Sequence, residues 1–270
     1  MTSPVSACVI VRDDALHIQR CLASLAWTDE TVVVIDARSC DGSEELARRS
    51  GARVLRRAYA GNTDQKNFAL DQAKHDWVIA LDADEALSPA LAVRLRDRLA
   101  RAEDELDGIE LNRVTRHLGR WIRHGDFHPD WQLRAFRRSR GHWTGSNPHG
   151  RVRVAGRVER LAGDLEHYSY VDLADQVARV QEYSRVEAQE LHRRGRRARV
   201  SDLCLRPPAR FLRAYVLKAG FRDGAPGFLI AAVTAFHVLL KYAKLWELER
   251  AARRDGPRAG DEWRAGGGRA

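Results

Sequence analysis

Short apolar runs closed by acids organise the first third of the chain. Val5 to Val11 is a continuous apolar run before Asp13-Asp14, and Thr31 to Ile35 is the most β-branched stretch before Asp36. Both read as buried strands. Helical patterns lie between them: one opening at Asp13-Asp14 with Leu16, Cys21, Leu22 and Leu25, and one over Glu44 to Arg49, stopped by Gly51. Arg53 to Arg57 reads as a weaker strand, Asn62 to Lys74 as helix, Trp77 to Leu81 as a fourth strand and Pro89 to Ala102 as helix. Alternating strands and helices imply an α/β fold with a mostly parallel sheet and right-handed crossovers.

The fourth strand runs straight into Asp82, Asp84 and Glu85. In extended chain the period-2 spacing turns Asp82 and Asp84 the same way. Two carboxylates held together repel, and a hard divalent cation, Mg²⁺ or Mn²⁺, relieves the repulsion. The competing reading is an N-cap cluster for the helix starting near Ser88-Pro89. Ligands of open α/β sheets bind outside the carboxyl ends of the strands, where three of these four strands carry acids. Neither GxGxxG nor GxxxxGK[ST] occurs, so no glycine-rich loop cradles a phosphate.

From Gly108 to Tyr170 the segments are short and alternating, with histidines and tryptophans interspersed between His117 and His149. This predicts a mixed, partly antiparallel extension of the sheet around a polar, aromatic-lined pocket. Asp172 to His192 is an amphipathic helix, followed by a basic segment broken at Pro207-Pro208, a short helix Phe211 to Ala219 and a turn Gly220 to Gly227. Gly227 to Leu240 is uncharged for fourteen residues, short of the roughly 20 that span a bilayer. It reads either as a membrane-lying hairpin or as a helix packed on the protein's own core. The organisation expected is a first half over 1–105, a second half of the same domain over 106–170, a helical, basic appendage over 171–250 and a disordered tail over 251–270.

Charge sharpens the C-terminal reading. The net charge is +9. Between Arg193 and Arg222 ten Arg or Lys face one acid, Asp202, which suits an anionic partner or a solvated helix face. The start MTSPVSACVIVRDD has no basic region before its apolar run, so no secretory signal is expected. Cys8, Cys21, Cys40 and Cys204 make no CxxC, and they read as reduced and mostly buried, as in a cytoplasmic protein.

The series VIVRDD (9–14), VVVIDARSCDGS (32–43), QKNFAL (65–70), WVIALDADEALSPAL (77–91) and HPDWQLRAFRR (128–138) resembles glycosyltransferase family 2, with its GT-A fold. GSNPHGRV (145–152), GDLEHYSY (163–170), FLRAYVLKAGFRDGAPGF (211–228) and LLKYAKL (239–245) look like the branch of lipopolysaccharide-core β-1,4-glucosyltransferases. The resemblance implies a metal-dependent, inverting transfer of a hexose, glucose from UDP-glucose, to a lipopolysaccharide-core or other lipid-linked acceptor. It makes Asp82 and Asp84 the metal-binding pair, places the nucleotide sugar on Val11, Asp14, Asp36, Lys66 and Asp82, and puts Asp36 on the uracil ring. The family commonly reads Thr-Lys-Asn-Glu where this chain has Val11-Arg12-Asp13-Asp14, and Ala37, Arg38 and Cys40 replace its usual glycine and threonine.

Inverting transfer needs a base for the acceptor hydroxyl and neutralisation of the departing diphosphate. Asp130 and His149 are the candidate bases; Asp130 is preferred, and its structural alternative is a salt bridge with Arg134 or Arg137. The implied setting is the cytoplasmic face of the inner membrane, bound peripherally through residues 193–244, with no nucleic-acid partner. Two other readings remain: a polyprenyl-phosphate glycosyltransferase, which calls for a membrane-spanning C-terminus, and a non-enzymatic basic membrane- or RNA-binding protein, which has no use for Asp36, Asp82 and Asp84.

Overall fold

The computed structural model describes residues 3–101, 105–145 and 150–254. The first half alternates β1 (Val5–Val11), α1 (Ile18–Ser24), β2 (Glu30–Asp36), α2 (Ser43–Arg49), β3 (Arg53–Arg57), α3 (Asn62–Asp71) and β4 (Trp77–Asp82). A short strand β5 (Glu85–Leu87) and α4 (Pro89–Ala100) follow. Next come β6 (Leu106–His117), β7 (Arg120–Trp121), β8 (Trp131–Arg137), β9 (Gly141–Thr144), β10 (Arg151–Val154) and β11 (Arg157–His167). The main sheet has the order β3-β2-β1-β4-β8-β6-β11-β5, with β7 beside β6 and β9-β10 as a separate pair. Strands β3, β2, β1 and β4 are parallel; β8 joins β4 antiparallel and turns the rest into the expected mixed extension.

Side-chain alternation explains why these runs sit in the middle. Val33, Ile35, Val9, Ile79 and Leu81 point to one face and pack on Ile18, Cys21, Leu22, Leu91, Leu95 and Leu99 of α1 and α4. Val32, Val34, Cys8, Val78 and Ala80 point to the other face and pack on Ala69 and Leu70 of α3 and on Trp143. A strand buried on both faces must be apolar at every position, which is the TVVVI pattern.

Several expectations change. The first helix starts at Ile18, leaving Leu16 exposed. Cys8 and Cys21 are buried, but Cys40 and Cys204 are exposed. Ser88 caps α4, its Oγ accepting from the Leu91 N–H at 3.3 Å, so the acid cluster does not serve as the cap. The chain also turns at Ala83-Asp84 between β4 and β5, so Asp82 and Asp84 do not share a face by strand alternation.

By its contacts the chain divides into two compact units, residues 1–123 with 127–169, and residues 124–126 with 170–270. The second comprises α5 (Leu173–Arg193), α6 (Val200–Cys204), α7 (Arg206–Leu212) and α8 (Gly224–Arg254). Pro207 and Pro208 do not break a helix; they occupy the first turn of α7, where a missing N–H costs nothing. The predicted helix Phe211 to Ala219 is present through Leu217, as the end of α7 continued by a π-helical turn, Arg213–Leu217. The expected turn up to Gly227 is already the start of α8. Apolar length was underestimated: the uncharged run belongs to a helical stretch, Gly220–Ala252, long and apolar enough to cross a membrane. α8 continues to Arg254, into the stretch expected as tail; residues 255–270 lie outside the described residues.

Candidate active site

β4 delivers Asp82 to the carboxyl edge of the sheet, level with Ile10 of β1. Its carboxylate receives Lys66 Nζ from α3 at 2.6 Å and Arg134 Nη2 from β8 at 3.0 Å. Arg134 also donates to Glu85 at 2.6 Å; Arg113 of β6 pairs with Glu85 at 3.1 Å and with Asp130 at 2.7 Å. The result is an alternating chain, Lys66–Asp82–Arg134–Glu85–Arg113–Asp130, in which three acids balance three bases. Glu85 and Arg134 are buried, and charges leave water only when paired in this way. Burial would raise the Asp82 carboxyl, but Lys66 and then Arg134 overcome it and hold it well below the usual range. Asp130 therefore does have a salt bridge, with Arg113 rather than Arg134 or Arg137; its other oxygen accepts from Gln132 at 2.6 Å.

Asp84 has a different partner. His167, at the end of β11, places Nε2 3.4 Å from its carboxylate, while Nδ1 lies 3.2 Å from Thr115 Oγ1. Burial acts against ionisation of Asp84, and the hydrogen bond from His167 outweighs it, so its carboxyl is lowered. Asp14 stands close by: burial raises its carboxyl despite His17 at 2.6 Å, and Asp84 adds to the rise. The thiol of Cys21 is pushed up by burial and by the carboxylates of Glu85, Asp84, Asp82 and Asp14.

Asp36 lies two strands from Asp82, about 10 Å away at the usual strand spacing. Val11, buried, ends the strand between them and pairs with Ile35. Arg38 grips both oxygens of Asp36, with Nε at 3.1 Å and Nη2 at 2.7 Å, and its backbone N–H adds a third bond at 3.0 Å. These bonds bring the Asp36 carboxyl down to about 2. Asp13 takes a left-handed conformation, φ 48°, and its carboxylate accepts from Cys40 N–H at 2.9 Å. The Asp14 N–H donates to Ser43 Oγ and the Ala15 N–H to Asp41. Asp13, through the backbone N–H of Cys40, thus helps to stitch together the two loops that flank the crevice.

A cavity of about 540 Å³ opens over this network, lined by Lys66, Asp82, Glu110, Arg113, Trp131, Arg134, Trp143 and Arg151 among others. Trp131 and Trp143 give it aromatic walls, and Lys66 lies over the Trp143 ring at 4.1 Å. None of the described histidines lines it: His117 is buried, and His128 bonds to Asn112 at 2.9 Å. His149 lies outside the described residues. Sequence reasoning gave Arg113 and His167 no role, Glu85 only a place in the acid cluster and Arg134 only a salt bridge with Asp130. For Arg134 a signal existed, a lone cation between Leu133 and Ala135-Phe136 in an apolar strand; His167 carried none beyond its place at a strand end.

Residues 6–156 match the sequence profile of Glycosyl transferase family 2. The chain belongs to this family. Its α/β GT-A architecture is the four parallel strands plus the mixed extension described above. The lipopolysaccharide core biosynthesis glycosyltransferase LpsC of Rhizobium meliloti is 30% identical over 90% of this chain and 92% of its own length. An uncharacterized glycosyltransferase of Rickettsia bellii is 27% identical over 92% of this chain and 88% of its own. Among solved structures, mannosyltransferase PcManGT of Pyrobaculum calidifontis, in complex with GDP-Man and Mn²⁺, aligns with 99% of this chain and 80% of its own, at 17% identity and TM-score 0.47. Glucosyl-3-phosphoglycerate synthase of Mycobacterium tuberculosis aligns over 41% of this chain and 44% of its own, at 19% identity and TM-score 0.36.

Proposed function

We propose that this family 2 enzyme transfers a hexose, glucose from UDP-glucose, with inversion to a lipopolysaccharide-core glycan at the cytoplasmic face of the inner membrane. The acceptor class rests on the relationship to LpsC. The donor site rests on one observation: Asp84 and His167 face each other at 3.4 Å at the strand ends, two residues from an ion-paired Asp82 that lines the cavity. An imidazole whose other nitrogen is already held, next to a carboxylate, is a donor set that suits a divalent cation, Mg²⁺ or Mn²⁺. Asp84 and His167 would hold the cation, with Asp82 at its side, and it would supply Lewis-acid neutralisation of the diphosphate.

The chain's own groups do the rest. Lys66 and Arg134 keep Asp82 ionised and put positive charge in the cavity wall, where the leaving diphosphate gains charge. Asp130, steadied by Arg113 and Gln132, takes the proton of the acceptor hydroxyl as its oxygen bonds to the anomeric carbon and the bond to the diphosphate breaks. Asp14 and Val11 line the nucleotide side of the crevice. Asp36 reaches the uracil N–H once Arg38 swings off it. A polyprenyl-phosphate acceptor is the second reading, favoured by the length of the apolar stretch in α8; parallel assays with the two acceptors separate them.

Calorimetry with a panel of nucleotide sugars, with and without Mn²⁺ or Mg²⁺, tests the proposal. UDP-glucose binding that requires the cation and drops at least about 100-fold in Asp82→Ala/Asp84→Ala is the expected result. A folded wild type that binds no nucleotide sugar would overturn it.

A further inference from the structure

The helical unit has an apolar surface that its own packing leaves uncovered. The segment Gly220–Ala252 holds an eighteen-residue stretch of mean hydropathy 1.5, of which only 22% is buried. Its polar side is taken up by α5: Lys244 Nζ donates to Gln181 and to Ser184 Oγ at 2.8 Å, and Glu187 receives Lys241 at 3.0 Å with His237 at 3.5 Å. On the opposite side of α8, Phe228, Leu239 and Trp246 fall within about 20° of one line, with Phe236 beside it. All four are exposed.

This stripe continues into the corner between α7 and α8. Phe228 touches Phe211 and Tyr215, with ring centroids 5.6 and 5.7 Å apart, and Gly220 sits so close to the Ala214 carbonyl that a Cβ would come within 2.7 Å. A corner packed this tightly holds its outer residues in place. Those residues are Leu212, Val216, Leu217 and Phe221, all exposed. Arg213 and Arg222, equally exposed, alternate with them and pair with no carboxylate among the described residues. The other cations of the segment are spoken for: Arg206 by Asp202, Arg210 and Lys218 by Asp126.

Exposed apolar side chains interleaved with unpaired arginines match the interface of an anionic bilayer, where the first enter the acyl boundary and the second meet phosphates. A lying geometry is favoured over spanning, because α8 is tied to α5 through Lys241–Glu187 and Lys244–Gln181/Ser184, polar pairs that a spanning helix would bring to the edge of the hydrocarbon. A second copy of the chain is disfavoured as well, since pairing two such corners sets arginine against arginine. We propose that the α7–α8 corner, with Leu212, Val216, Leu217, Phe221, Arg213 and Arg222, and the α8 stripe form a docking surface for anionic phospholipid.

Flotation of the full chain with vesicles tests this. Phosphatidylcholine vesicles with about a third phosphatidylglycerol should retain the protein, and pure phosphatidylcholine should retain far less. Arg213→Gln/Arg222→Gln should weaken binding about fivefold per charge, and high salt should mask that loss. Leu212→Ser/Leu217→Ser should weaken it at least tenfold at low salt, and a dye on Leu217→Cys, with the exposed Cys40 and Cys204 changed to Ser, should shift to the blue on anionic vesicles. Wild-type binding by both double variants, or no blue shift, would overturn the proposal. So would apolar substitutions that change only the oligomeric state. The surface is separate from the transfer chemistry: nucleotide-sugar binding measured on the same samples stays at the wild-type level if the proposal alone fails.

Discussion

Lys66, Arg134 and Arg113 of the sheet unit each face a carboxylate within 3.1 Å, whereas Arg213 and Arg222 of the helical unit face none among the described residues. The first group is withdrawn from water, where an unpaired charge is too costly to keep, so every cation is answered by an acid. The second group stays in water, where pairing is optional and the charge remains free for an outside partner. The same residue types thus preorganise a site in one unit and present a surface in the other.

The sharpest way to break the contrast is Glu85→Ala, which leaves Arg113 and Arg134 without their shared partner. Urea unfolding should show a loss of about 3–5 kcal/mol, while Glu45→Ala, which removes the exposed pair with Arg49, should cost less than about 0.5 kcal/mol. Equal losses would mean that burial does not set the worth of these pairs. Next in size, Asp130→Asn should lower kcat about 100-fold. Glu110→Gln serves as the control, because Glu110 lines the cavity but pairs with Arg160. If Glu110→Gln gives the larger drop, the base is misassigned.

The smallest effect concerns Asp36. Hydrogen bonds from Arg38 bring its carboxyl from near 4 down to about 2. A lowered carboxyl contributes stability that is complete above its unfolded value and fades as the pH falls towards about 2. Arg38→Ala should therefore leave stability at pH 7 slightly reduced and make the acid unfolding curve less steep in that window. It should also tighten UDP binding by freeing the Asp36 carboxylate. An unchanged acid limb would show that the Arg38 fork is not formed in solution.

Local pattern was enough for much of the fold. The apolar runs at Val5–Val11, Thr31–Ile35 and Trp77–Leu81, each followed by acids, placed the parallel strands and the edge that carries Asp36, Asp82 and Asp84. Burial on both sheet faces demands uninterrupted apolar residues, and the chain must become polar where it emerges. Helix lengths near α7 and α8 were less legible, because proline in a first turn and glycine at a helix start look in sequence like breaks.

What the chain order could not convey is who answers each acid. Asp82 and Asp84 stand two residues apart, yet a turn at Ala83 sends one to Lys66 and Arg134 and the other to His167, from the far end of β11. Those partners are chosen by the strand order, which sets β8 and β6 between β4 and β11. Hydrophobic periodicity is a local property and can be read residue by residue. Charge compensation in a buried site depends on which distant strands become neighbours, and that only the folded sheet decides.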